Sequence, residues 1–235
     1  MQSELNTIVF DLDGTLLDTE SIVLDAVSKA VDRTSGKFRL DLRQPARDEI
    51  LALLGIPVFQ FVSRLGLNLK EEAAKYLESE IEEEELQLIE DGQARLFDGV
   101  SDVLRQLKAC DWNLALISNC SRRYLMALSD YFDFGNYFEF SLCVEDVRLD
   151  GKGILLRELL TKTDRLAAET IYVGDRTSDW EAANFVKCGF IGARWGYGGG
   201  FDAQIVTIGS IRELPEILKR IEESHPEPGK SGVKC

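Results

Sequence analysis

Short apolar runs alternate along the chain with longer stretches whose apolar positions recur every three or four residues. Residues 8–10 (IVF) form a run ended by polar residues, which predicts a buried strand. Residues 113–118 (NLALIS), 138–144 (FEFSLCV), 170–173 (TIYV) and 190–193 (FIGA) repeat that pattern, and 204–208 (QIVTI) is a candidate sixth. Between them, 100–110, 122–131, 153–162 and 179–187 carry the helical period, and 211–223 closes the series. Strands alternating with helices predict an α/β fold, a doubly wound parallel sheet covered on both faces. Strands that are apolar throughout, not at every second residue, fit that double burial.

The alternation breaks between residues 19 and 96. Ile22-Val27-Ala30-Val31, Ile50-Leu53-Leu54, Phe59-Val62-Leu65 and Ala73-Leu77-Ile81-Leu88 are helix-spaced, and no strand pattern intervenes. This stretch reads as an all-helical insert, jointed at Pro45, at Gly55-Ile56-Pro57 and at Gly66-Leu67-Asn68. The expected organisation is a core from 1–18 and 97–224, a helical domain from 19–96, and a mobile tail from 225–235, rich in Pro, Gly and Lys.

Composition narrows the partners. The chain has 235 residues, 45% of them hydrophobic, enough to bury a sizeable core. Lys and Arg number 27 and Asp and Glu 41, a net charge of −14, which argues against nucleic acid or an anionic membrane as partner. The run Glu82-Glu83-Glu84-Glu85 reads as a solvated helix face. No apolar run is long enough to span a membrane, and the first residues do not read as a secretory signal. Five cysteines without a C-x-x-C pair read as reduced thiols, so a cytoplasmic location is expected. The only histidine, His225, lies in the tail, which disfavours a Ser-His-Asp site, a Cys-His site at Cys120, or a His-rich zinc site.

Candidate chemistry collects where the strands end. Ligands of an open parallel sheet bind beyond the carboxyl ends of its strands. Asp11 and Asp13 follow the first strand, Ser118 and Asn119 the second, and Asp175 and Asp179 the fourth. Lys152 opens the helix after the third. Crowded carboxylates need a cation or a proton. A hard divalent ion such as Mg²⁺ takes oxygen ligands and a substrate phosphate. Beside it one carboxylate can attack phosphorus, and an acid two residues on can serve the leaving oxygen. Lys152 and Ser118 offer a charge and a hydroxyl to phosphate oxygens.

This set, DLDGT at 11–15, Ser118-Asn119 in LISNCS, Lys152, and Asp175 with Asp179 in VGDRTSD, resembles the haloacid dehalogenase superfamily of aspartate-nucleophile phosphatases. The resemblance runs over nearly the whole chain and implies a Rossmann-like core with a helical cap. It implies that Asp11 is the nucleophile and Asp13 the general acid and base. It implies Mg²⁺ held by Asp11, the Asp13 carbonyl and Asp175 with Asp179 in support, and phosphate held by Ser118, Asn119 and Lys152. The proline that often follows the lysine in related chains is absent here, leaving Arg148 as a weaker match. Members that cut carbon–halogen bonds lack an acid at the position of Asp13, so phosphoryl transfer is expected.

The segment GARWGYGGG at 192–200 resembles phosphoglycolate phosphatase-like members, although Trp195 and Tyr197 could simply cover the sheet edge. The expected substrate is a small phosphorylated metabolite, phosphoglycolate-like, with Arg43, Arg47 and Arg64 as candidate receivers of its carboxylate. A sugar phosphomutase, a nucleotidase or broad-range phosphatase, and a non-catalytic binding module remain as alternatives. Monomer and homodimer are both open.

Overall fold

A computed structural model describes residues 5–56, 58–147 and 151–224. Six strands form its sheet: β1 (Thr7–Asp11), β2 (Asn113–Ser118), β3 (Phe140–Cys143), β4 (Thr170–Gly174), β5 (Gly189–Ala193) and β6 (Thr207–Ile208). Their order is β3-β2-β1-β4-β5-β6, and every neighbouring pair is parallel. The chain builds outward from β1 on one side, then returns to build outward on the other. β1 therefore borders the switch point, where the crevice of such sheets opens.

Nine helices accompany the strands among the described residues. α1 (Glu20–Phe38), α2 (Arg47–Ala52), α3 (Val58–Arg64) and α4 (Glu71–Glu90) lie between β1 and β2. α5 (Val100–Ala109), α6 (Arg122–Tyr131), α7 (Lys152–Lys162), α8 (Thr177–Val186) and α9 (Leu214–Ser224) follow. Side chains alternate across a strand, and β1 shows the result. Ile8 and Phe10 enter one core with Leu104, Leu125 and Leu218, while Val9 enters the other with Leu156, Leu159 and Ala183. α5, α6 and α9 thus cover one face, and α7 and α8 the other.

The helical insert has a third core, in which Val23, Val27 and Val31 of α1 meet Leu77 and Ile81 of α4. Both chain crossings into it run side by side. Asp18 N–H donates to the Arg95 carbonyl at 2.8 Å, and Phe97 N–H to the Leu16 carbonyl at 3.0 Å. The ends of the insert merge with the sheet's core, since Ile22, Ala26, Leu88 and Ile89 pack there.

Three sequence readings change. The sixth strand shrinks to two residues at the sheet edge. The last helix starts at Leu214, after a short 3₁₀ turn, which leaves Pro215 in its first turn where no N–H is needed. The four glutamates from Glu82 to Glu85 do not share a solvated face. Successive helical residues point about 100° apart, so four of them look in every direction. Glu82 and Glu83 reach Arg123 on α6, Glu84 is buried against Lys29 and Arg33, and Glu85 faces the cavity described below.

Cys120, Cys143 and Cys188 are free thiols, as the sequence reading expects of them. Pro57, Arg148, His225 and the tail 225–235 lie outside the described residues. No described helix is long and apolar enough to cross a membrane.

Candidate active site

The seven residues singled out from sequence gather at the carboxyl ends of β1, β2 and β4. All but Asp13 are at least nine-tenths buried. Asp11 is the last residue of β1, held by pairing with Ile117 of β2, while the pairing with β4 reaches Phe10 just before it. Lys152, at the start of α7, bridges Asp11 Oδ1 at 2.7 Å and Asp179 Oδ1 at 2.5 Å. Tyr172 O–H also donates to Asp179 Oδ1 at 3.0 Å, and Arg176 N–H donates to Asp179 Oδ2 at 2.9 Å. Both oxygens of Asp179 are thus engaged, and its visible work is to place Lys152.

Asp175 is gripped from the far side of the sheet. Tyr197 N–H and Gly198 N–H donate to its Oδ2 at 2.9 and 2.8 Å. The segment whose Trp195 and Tyr197 could simply have covered the sheet edge therefore folds back into the site. Tyr197 O–H donates to Asp18 and accepts from Glu20 N–H, and Trp195 Nε1–H donates to the Thr15 carbonyl at 3.0 Å. Only glycine fits at two of the contact points. Gly14 has φ +83°, and a Cβ there would lie 2.6 Å from Asp175 Oδ2. A Cβ on Gly196 would lie 2.2 Å from the Gly14 carbonyl oxygen.

Asp13 is held separately. Its Oδ1 accepts from Thr19 Oγ1–H at 2.9 Å and Tyr124 O–H at 3.2 Å, and its Oδ2 from Ser118 Oγ–H at 3.2 Å. Burial raises its carboxyl pKa against the pull of these hydrogen bonds. The side chain does not join the other three aspartates, so any role for Asp13 with a metal falls to its backbone carbonyl. Asn119 spends its side chain on the insert, donating to the Gly55 carbonyl at 2.8 Å. Arg176 does likewise, donating to the carbonyls of Leu51 and Ala52 at the end of α2. Cys120 is buried, and burial with the nearby Asp13 charge pushes its thiol up, so it is no nucleophile.

The remaining aspartate oxygens fit a cation. Asp11, Asp175 and Asp179 offer carboxylate oxygens within 4.8 Å of one another. Asp11 Oδ2 and Asp175 Oδ1 are buried without a hydrogen-bond partner. Burial and then the Asp179 charge push Asp175 up to about 6. Burial raises Asp11 as well, against Lys152 and with the help of Asp179 and Asp175. Burial works against the charge on Lys152, but Asp11 and Asp179 outweigh it and keep the amine protonated. Three carboxylates and one ammonium leave −3 + 1 = −2, the charge a divalent ion offsets. An all-oxygen donor set suits a hard ion such as Mg²⁺.

Beside Asp13 a cavity of about 680 Å³, counted to its open mouth, runs between the insert and the core. Its insert-side wall includes Glu78, Glu82 and Glu85 of α4. The arginines considered as carboxylate receivers do not reach it. Arg43 grips Glu49 through two hydrogen bonds, Arg47 grips Glu20 through two, and Arg64 donates to Gln60.

Thr19, Tyr124, Tyr172, Arg176 and the 195–198 segment were not foreseen as parts of the site. The alternating glycines of GYG were the one visible signal, since such spacing suits close backbone approach.

Comparison with known proteins agrees with the fold and with the family resemblance. The chain is 28% identical over 199 residues to a phosphoglycolate phosphatase of Synechococcus elongatus, covering 82% of this chain and 85% of that one. It is 25% identical over 200 residues to the pyrophosphatase PpaX of Listeria monocytogenes, covering 83% and 86%. A crystal structure of a predicted phosphoglycolate phosphatase from Haemophilus somnus shares the fold, with TM-score 0.82, 19% identity, and coverage of 92% and 99%. The family model for haloacid dehalogenase-like hydrolases matches residues 8–193, and the chain belongs to that family.

Proposed function

We propose that this hydrolase is a Mg²⁺-dependent phosphatase that cleaves a small phosphorylated metabolite through an aspartyl-phosphate on Asp11. The observation that carries this reading is Asp11 Oδ2, a buried and unpartnered carboxylate oxygen at a strand end, with Lys152 on its sister oxygen. Attack by that oxygen on phosphorus forms the Asp11–phosphate bond as the ester P–O bond breaks. Asp13 gives its proton to the leaving alcohol, and its raised pKa favours the acid form this step requires. It then takes a proton from water, whose oxygen attacks phosphorus, releasing phosphate and restoring Asp11.

Ser118, Asn119 and Lys152 bind phosphate oxygens in this scheme. Asp11, the Asp13 carbonyl and Asp175 hold Mg²⁺, and Asp179 supports them. Bound there, Mg²⁺ offsets the repulsion between the nucleophile and the phosphate. Residues 19–96 form the cap over a core of 1–18 and 97–224, and the bonds from Asn119 and Arg176 to the insert belong to its closed position. Closure keeps out all water but the attacking molecule.

The test is phosphate release from p-nitrophenyl phosphate and from phosphoglycolate, the ester in several relatives' names. Release should require Mg²⁺ and fall by roughly 10⁴-fold or more in Asp11→Asn. Borohydride reduction during turnover should mark Asp11. Release that persists in Asp11→Asn would sink the scheme.

A further inference from the structure

The insert-side wall of the Asp13 cavity carries three acids, and two of them make no ion pair among the described residues. Glu78, Glu82 and Glu85 are spaced i, i+4 and i+7 on α4, a spacing that puts them on one face. No Lys, Arg or His lines the cavity among the described residues. Other acids of the same helix are neutralised. Glu80 meets Arg33, Glu83 meets Arg123, and Glu84 lies between Lys29 and Arg33. Glu82 shares Arg123, at 3.0 Å. Glu85 and Glu78 have no hydrogen bond or ion pair with any described residue.

The cavity's place gives that wall a meaning. If Asp13 protonates the leaving oxygen, the alcohol half of the ester extends past Asp13, into this cavity. A carboxylate there would meet three acids and no cation in the lining. An ammonium would meet partners that nothing else supplies. We propose that the cavity receives the alcohol half of the substrate and selects a cationic one, so that the substrate is the phosphomonoester of an amino alcohol, its ammonium held by Glu85 with Glu78 and Glu82 beside it.

This assignment rests on the phosphatase reading and names the substrate class of that site. Burial, with the Asp13 and Glu82 charges, pushes the Glu85 carboxyl up to about 8. An ammonium beside it restores its charge, as a cation does for a desolvated carboxyl.

Three two-carbon esters that differ in one terminal group form the test: O-phosphoethanolamine, 2-hydroxyethyl phosphate and phosphoglycolate. p-Nitrophenyl phosphate, with no charged alcohol, reports the phosphatase chemistry alone. With Mg²⁺ at pH 7, kcat/KM should run ammonium, then hydroxyl, then carboxylate, with at least about tenfold (~1.4 kcal/mol) at each step. In Glu85→Gln, which keeps the shape and removes the charge, the phosphoethanolamine-to-phosphoglycolate ratio should fall by about tenfold or more.

Phosphoglycolate matching or exceeding phosphoethanolamine overturns the proposal, as does a ratio that Glu85→Gln leaves unchanged. Hydrolysis of p-nitrophenyl phosphate with none of the three esters cleaved also overturns it and leaves the phosphatase standing. No release from any of the four refutes the phosphatase reading itself.

Discussion

On the Lys152 side of the site, three buried aspartates are answered almost atom by atom. Lys152, Tyr172 and Arg176 meet Asp179, Lys152 meets Asp11, and two backbone N–H groups meet Asp175. Two oxygens are left over, and they belong to a cluster close enough to share one ion. On the α4 side, Glu78 and Glu85 make no hydrogen bond or ion pair among the described residues, Glu78 feels Lys75 only at a distance, and the two are spread along two turns of helix. A closed, nearly satisfied network fixes one geometry, which suits a reaction that never varies. Unpaired groups strung along a helix fix no geometry of their own, and suit the part of a substrate that differs between related enzymes.

The largest effect should come from breaking the closed side. Lys152→Met leaves two buried carboxylates facing each other and should cost about 3–5 kcal/mol of stability in urea unfolding. Glu82→Gln touches a pair with an exposed arginine and should cost ~1 kcal/mol or less. Equal costs would erase the contrast.

Titration separates the two sides next. Without metal, Asp175 titrates at about 6, above the ordinary carboxyl value of 3.8. Between those values the native state binds more protons than the unfolded chain, so stability falls as pH rises through this window, by about 3 kcal/mol for a shift of this size. Mg²⁺ should abolish that fall, because it binds the ionised form. Glu85 is raised to about 8, so its share of stability also falls with rising pH, over a window reaching to about 8. That later fall should survive Mg²⁺ and vanish in Glu85→Gln. Melting curves from pH 5 to pH 9, with and without Mg²⁺, would show one fall or two.

The smallest effect lies between the sides, at Asp13. Tyr124→Phe removes one of three hydrogen bonds to its carboxylate, worth about 1 kcal/mol, or about fivefold in kcat. That bond lowers the Asp13 pKa, so its loss should raise it and move the alkaline limb of the kcat profile to higher pH. An unmoved limb would deny Tyr124 a positioning role.

The closed side was largely legible in the sequence, and the open side was not. Asp11, Ser118 and Asp175 each end or follow an apolar run that the burial of a parallel strand demands, so pattern and chemistry fell on the same residues. The run from Glu82 to Glu85 carried no such mark. The helical turn points its four residues in different directions, but which of them meets a cation depends on α1 and α6 packing against α4, which only tertiary structure decides. The same holds for Arg43 and Arg47, whose partners Glu49 and Glu20 lie within the insert. The grip of Tyr197 and Gly198 on Asp175 spans more than twenty residues and leaves only the spacing of glycines behind.

The central place of β1 also bears on how the chain is made. Thr7 pairs with Asn113 and with Thr170, which lie 113 − 7 = 106 and 170 − 7 = 163 residues further on. Such distant pairing slows folding, because long loops must close before any contact rewards them. The α1–α4 contacts are far more local and can form while the ribosome is still translating β2. The strand that carries Asp11 thus emerges before the other five and is among the last to be completed. A nascent chain halted before residue 170 would hold an apolar strand with one edge unpaired, the form most exposed to strand-by-strand aggregation.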